Sequence, residues 1–138
     1  MAETLTFAKS HVYDTREFGI QLPVKLVAGE KSLGLQAKLD TGSGLCVFPR
    51  RYGEELGFDI ESGMYQRIST ATGGFDAYGH WATLLALGYE YEAMIYFAKD
   101  HSFNRNILGR QGWLDRIRLG LVDYDGKLYL SDYNDPAS

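Results

Sequence analysis

The chain has 138 residues and a mass of 15.5 kDa, with 45% apolar and 23% charged residues; that is enough for one hydrophobic core and excludes a disordered tail, a collagen-like repeat or a coiled coil. A net charge of −4 with scattered basic residues gives no nucleic-acid footprint, and the apolar runs at 82–87 and 93–98 are far too short to span a membrane. Cys46 is the single thiol, which excludes an intrachain disulfide, and the opening Met-Ala-Glu-Thr has an acid where a secretory signal would be basic, so a reducing, cytoplasmic setting is expected.

In chain order, apolar and polar residues alternate at Leu5-Phe7, at Ile20-Leu22-Val24-Leu26 and at Leu33-Leu35-Ala37-Leu39, which predicts half-buried strands. Short polar connectors at 14–19 and 28–32 suit antiparallel pairing. Pro49, with its preset φ, opens a short helix over 49–56. Extended segments at 65–68 and 75–87 flank Thr70-Ala71-Thr72-Gly73-Gly74, whose paired glycines predict an exposed, mobile hairpin tip. A further strand is expected at 89–98 and a brief helix over 109–115, around Trp113 and Leu114. Strands at 117–124 and 127–131 flank Asp125-Gly126, a two-residue hairpin signal. The reading is one domain over 1–138, with its core at about 20–131 and a frayed tail at 132–138.

The segment Ala37-Lys38-Leu39-Asp40-Thr41-Gly42-Ser43-Gly44 runs an amphipathic strand into an acid, two hydroxyls and two glycines, and apolar residues resume with Leu45, Cys46, Val47 and Phe48. A carboxylate on a turn between buried strands needs donors, and the Gly42 N–H and the Thr41 and Ser43 hydroxyls stand nearest in sequence. Taken alone, the pattern fits an Asx-turn as well as a working acid. Other candidates read more simply. Cys46, among apolar neighbours, packs as a small hydrophobe, and His11, His80 and His101 are too scattered for a metal site. Asp123-Tyr124-Asp125-Gly126 lacks the closing Glu of a calcium loop, and Arg50-Arg51 with Glu54-Glu55 suit the solvated side of a helix. Phe75, Tyr78 and Trp81 read either as an apolar platform for a ligand or as plain cross-strand packing.

Three features in one order resemble the retropepsin family, the single-domain dimeric aspartic peptidases of retroviruses and their cellular relatives, and in particular its prokaryotic branch. They are Asp40-Thr41-Gly42-Ser43 after an apolar strand, a Gly-rich hairpin at 71–75, and Asn106-Ile107-Leu108-Gly109-Arg110; the likeness covers about 20–130. The resemblance implies a mainly β, closed acid-protease barrel of six to eight strands with one or two short helices, completed as a homodimer. It implies that Asp40 is catalytic and that Thr41, Gly42 and Ser43 support it, Thr41 bonding across the dimer axis and the Ser43 hydroxyl bonding the carboxylate. That last bond would give a more acidic optimum than in a Ser43→Ala variant. Thr72, Gly73, Gly74 and Phe75 would belong to a flap, and Gly109 and Arg110 to a structural motif. The implied partner is a second copy, and the implied substrate an extended peptide or protein with apolar residues around the cut; no metal, organic cofactor, nucleic acid or membrane is called for. The sequence departs from the family at Gly44, where many relatives carry an acid that holds the arginine, so Arg110 must pair elsewhere or stay exposed. That departure sustains a rival expectation, a catalytically silent dimeric module that binds peptides or proteins in the same groove. A third reading is a small barrel holding an apolar ligand in its aromatic interior.

Overall fold

The computed structural model describes residues 1–135. Its strands are β1 (Lys9–Val12), β2 (Gln21–Ala28), β3 (Lys31–Leu39), β4 (Val47–Phe48), β5 (Met64–Thr70), β6 (Gly73–Ala86), β7 (Tyr89–Ala98), β8 (Ile107–Leu108), β9 (Ile117–Val122) and β10 (Lys127–Asp132), with one α-helix, α1 (Arg50–Glu55), after β4. Alternation decides the faces: on β2, Leu22, Val24 and Leu26 are buried while Pro23 and Lys25 are exposed. The larger sheet runs β2-β3-β8-β4-β7-β6, and β2 pairs with β6 as well, so six strands close into a barrel. Beyond the ring, β5 pairs only with the first half of the long β6, so the two project as a hairpin.

A second sheet, β1-β10-β9, lies against the barrel. Tyr13, Ile117, Leu128 and Leu130 from its segments share one core cluster with Leu22, Leu26, Leu84, Phe97 and Trp113. Each of the larger side chains there contributes roughly 1.5–3 kcal/mol by burial, which is what holds the two sheets together. Helix α1 packs on β7 through Gly53, where a Cβ would lie 2.7 Å from the Phe97 ring. No helix among the described residues is long and apolar enough to cross a membrane.

Several local expectations are corrected. Leu5-Phe7 forms no strand, because Leu5 stands in solvent; pairing begins at Lys9, just after the Ala8 N–H donates to the Ser131 hydroxyl. The helix expected at 109–115 is reduced to a 3-10 turn, Leu114–Arg116, because Gly112 takes φ +100° and breaks the helical path, its N–H donating to Asp115. Asp125-Gly126 is not a two-residue hairpin turn: a 3-10 turn, Asp123–Asp125, precedes Gly126, which takes the left-handed conformation. Residues 132–135, expected to fray, are tied down: Asp132 closes β10 and accepts from the Tyr91 hydroxyl, and Asp135 accepts from Tyr89 and from the Asp132 N–H. The rest of that tail, 136–138, lies outside the described residues.

Candidate active site

Asp40 stands just past the end of β3, half-buried, where that strand meets the two-residue strands β4 and β8. β3 runs parallel to β8, and β4 pairs antiparallel with β8, so the turn at 40–46 loops around the Ile107–Leu108 strand. The Asp40 N–H donates to the Leu108 carbonyl at 2.9 Å, which fixes the acid's backbone to the segment before Gly109. Its carboxylate is held in turn: the Gly42 N–H donates to Oδ1 at 2.9 Å, an Asx-turn contact that sets the side-chain torsion. Thr41 and Gly42 are exposed beside it.

The Ser43 hydroxyl does not bond this carboxylate. It donates to the Leu45 carbonyl at 2.7 Å, two residues along, a local acceptor that tightens the turn instead. Gly109 and Arg110 lock the turn from outside. The Arg110 N–H donates to the Ser43 carbonyl at 2.9 Å and the Gln111 N–H to that of Gly44 at 3.0 Å. A Cβ at Gly109 would lie 2.2 Å from the Leu45 carbonyl oxygen, so only glycine fits against this loop. Cys46 joins the same stitch, its sulfur accepting from the Gly109 N–H at 3.3 Å; burial pushes the thiol up to about 12, which leaves it inert as a nucleophile. The Arg110 side chain is exposed, and among the described residues no ion pair holds it.

The β5–β6 hairpin reaches the strand leaving this turn. Ile68 and Phe75, opposite each other in register, pack with Leu45, Val47, Met94, Tyr96 and Phe103, and the Phe75 and Phe103 rings lie 4.7 Å apart. An apolar wall results on this side of the site. The tip turn is Ala71-Thr72, not the two glycines: Gly73 and Gly74 lie on the outgoing strand, where Gly73 takes φ +139° and a Cβ at Gly74 would meet the Ile68 carbonyl at 2.7 Å. Phe75, Tyr78 and Trp81 do not form one platform, because the strand period sends Phe75 and Trp81 to one face and Tyr78 to the other, against the main core. On its outer side the hairpin is braced by Asp76, which accepts from the Tyr65 hydroxyl at 2.7 Å and from Arg67 at 3.0 Å. Those bonds, the tyrosine's first, hold the Asp76 carboxyl below its usual range.

A cleft of about 460 Å³ opens on another side of Asp40. Its lining is polar: Gln36 and Lys38 from the exposed face of β3, Arg51 from α1, and Asn104 and Arg105 from the loop before β8. Apolar side chains therefore gather on one side of Asp40 and polar ones on the other. Lys38 could have been assigned from its spacing, two residues before Asp40 on one strand face; Arg51 and Arg105 come from separate elements and leave no local signal. Asp40 is the one carboxylate in that lining. Among the described residues no three His, Cys, Asp or Glu side chains converge as a ligand set.

The closed barrel, the loop at Asp40 threaded by the Gly109 segment and the projecting hairpin together are a retropepsin-like fold. Among solved structures the chain is similar to a retropepsin-like aspartic protease from Rickettsia conorii, with a TM-score of 0.61 and 18% identity over 90% of this chain and 99% of that one. No family model and no curated protein matches the chain in sequence.

Proposed function

We propose that the chain is an aspartic endopeptidase acting as a homodimer, with Asp40 of each copy forming one site. The observation that carries this reading is the half-exposed Asp40 carboxylate, clamped by the Gly42 N–H in a retropepsin-like fold and unaccompanied by any other acid in its cleft. Carboxylate-driven hydrolysis needs one group to accept a proton from water and one to donate to the carbonyl oxygen. One chain supplies one, so a two-fold axis supplies the other. At about 3 Å apart the two cannot both ionise and hold a single proton between them, as aspartic-protease dyads do. The ionised member takes a proton from water as that water attacks the scissile carbonyl. The protonated member donates to the developing oxyanion, and the amine then leaves with a proton; neither metal nor organic cofactor takes part.

The other site residues take the roles that the retropepsin resemblance implies. Thr41, exposed beside Asp40, bonds across the axis, Gly42 offers backbone to the substrate, and Ser43 stiffens the turn. The β5–β6 hairpin, with Thr72 in its turn and Gly73, Gly74 and Phe75 on its outgoing strand, is the flap. It closes over an extended peptide that pairs with it in strand fashion, excluding water from the dyad. Gly109 and Arg110 serve the turn through their backbone. A reducing, cytoplasmic setting suits a chain whose single thiol is buried.

Arg110, exposed and without an ion pair among the described residues, favours a second reading, a catalytically silent dimeric module that binds peptides or proteins in the same groove. Asp40→Asn separates the two. With folding intact, it should lower cleavage of a mixed peptide pool between about pH 3 and pH 7 by at least about a hundredfold. Equal cleavage by both proteins, or sedimentation as an obligate monomer at assay concentration, refutes the peptidase.

A further inference from the structure

Three cations meet at the Asp40 cleft, where Asp40 itself is the single acid. Lys38 lies on the exposed face of β3, two residues before Asp40, its stem against Gly19. Arg51 reaches in from α1, its guanidinium donating to the Asn104 side-chain oxygen at 3.2 Å and to the Tyr52 hydroxyl at 3.1 Å, both neutral partners. Arg105 is exposed on the loop before β8. Among the described residues none of the three has a carboxylate within ion-pair distance; Arg110, Arg118 and the other lysines also lack one, and what sets these three apart is that they converge on one cleft. In a chain of net charge −4, three cations against one carboxylate around a single cleft are a concentration of positive charge against the background.

We infer that this cleft is a specificity pocket for an acidic side chain of the substrate, Glu or Asp, within two residues of the scissile bond. The inference rests on the reading that a peptide lies across Asp40, and it names what that peptide carries. Along a strand, residues two apart are separated by about 6.8 Å, so Lys38 stands one such step from Asp40. A peptide paired strand-fashion across Asp40 presents its alternate side chains with the same spacing. One that enters the cleft finds guanidinium and ammonium donors, while one on the other side meets the partly exposed apolar side chains of Leu45, Ile68, Phe75 and Phe103. The preferred substrate therefore combines an apolar residue with an acidic one. A two-fold axis repeats the cleft on both sides of the cut, so acids on both sides add. An ionised side chain placed beside Asp40 is repelled by that carboxylate, and the three cations offset the repulsion.

The test uses fluorescent peptides with an apolar pair at the centre and either Glu or its uncharged near-isostere Gln two residues away. Their binding is read by anisotropy on the Asp40→Asn protein, so that cleavage plays no part. The Glu peptide should bind on the order of tenfold tighter at low salt, with the difference shrinking as salt is added. The pair Lys38→Gln and Arg105→Gln should bring the ratio to about one. Lys38→Arg, which keeps the charge, should retain most of it, and Lys38→Glu should bring the ratio to about one, as the pair does. Equal affinity for Glu and Gln, or no binding of either, overturns the proposal. So does a Lys38→Gln, Arg105→Gln protein that keeps the tenfold ratio, or one that loses its dimer by sedimentation, since the cations would then answer a second copy. Failure of the native protein to cleave either peptide, with the binding preference intact, overturns the peptidase reading alone.

Discussion

Replacing Gly109 by alanine would put a methyl group 2.2 Å from the Leu45 carbonyl oxygen and 2.7 Å from that of Ser43. Both obstructing atoms are backbone, so no rotamer change relieves the clash; either the Asp40 turn or the Gly109 segment must move. Overpacking of this kind costs about 1–3 kcal/mol. The movement also pulls apart the Arg110 N–H to Ser43 and Gln111 N–H to Gly44 hydrogen bonds, worth about 1 kcal/mol each. A loss of roughly 3–5 kcal/mol follows, a large part of the margin that a chain of this length has. Urea unfolding at one fixed protein concentration measures it, since dimerisation would make the midpoint depend on concentration. Gly44→Ala is the matched control, because a Cβ there has nothing within 4 Å; it should stay within about 1 kcal/mol of the native chain, in either direction. A Gly109→Ala protein that loses less than about 1 kcal/mol would refute the reasoning, and with it the view that this glycine is what shapes the Asp40 turn.

Three further outcomes are expected. Ser43→Ala should leave the pH profile of cleavage unchanged, because the hydroxyl bonds the Leu45 carbonyl and not the Asp40 carboxylate, and should cost about 1 kcal/mol of stability; a displaced acidic limb would reject this. Arg110→Ala should change stability by less than about 0.5 kcal/mol, since the motif works through backbone bonds and its exposed guanidinium has no ion pair among the described residues; a concentration-independent loss several times larger refutes that. Tyr13 is buried, and burial together with its 2.6 Å bond to Asp123 pushes the phenol up to about 12 from its ordinary 10.0. The folded chain thus favours the protonated phenol, so its contribution is whole below pH 10.0 and is lost as the pH rises towards about 12. Urea midpoints for Tyr13→Phe should therefore decline less across that window than those of the native chain, with a residual decline from Tyr89 and Tyr91, which burial also raises; parallel curves would reject the assignment.

The parts of the site legible in the sequence are those set by neighbours two or three residues apart. The turn at Asp40 is an Asx-turn closed by Gly42, and period-two alternation on β2 and β3 separates Leu22, Val24, Ala37 and Leu39 from their exposed neighbours. Where the structure departs from the local pattern, partners compete for one group. The Ser43 hydroxyl could reach a carboxylate or a carbonyl, and the carbonyl two residues ahead won because the chain already holds it there. Segment 109–115 has helix-forming residues around Gly112, yet that glycine's positive φ lets Trp113 turn into the core, where it is fully buried; tertiary burial overrode local propensity. The same distinction separates the two sides of the site. The apolar wall comes from strands whose pattern announces burial, whereas the cationic cleft joins a strand, a helix and a loop that meet only once the barrel has closed. A surface lysine and two surface arginines look like ordinary solvated charge until folding puts them together around one carboxylate, a juxtaposition that no local pattern in the sequence announces.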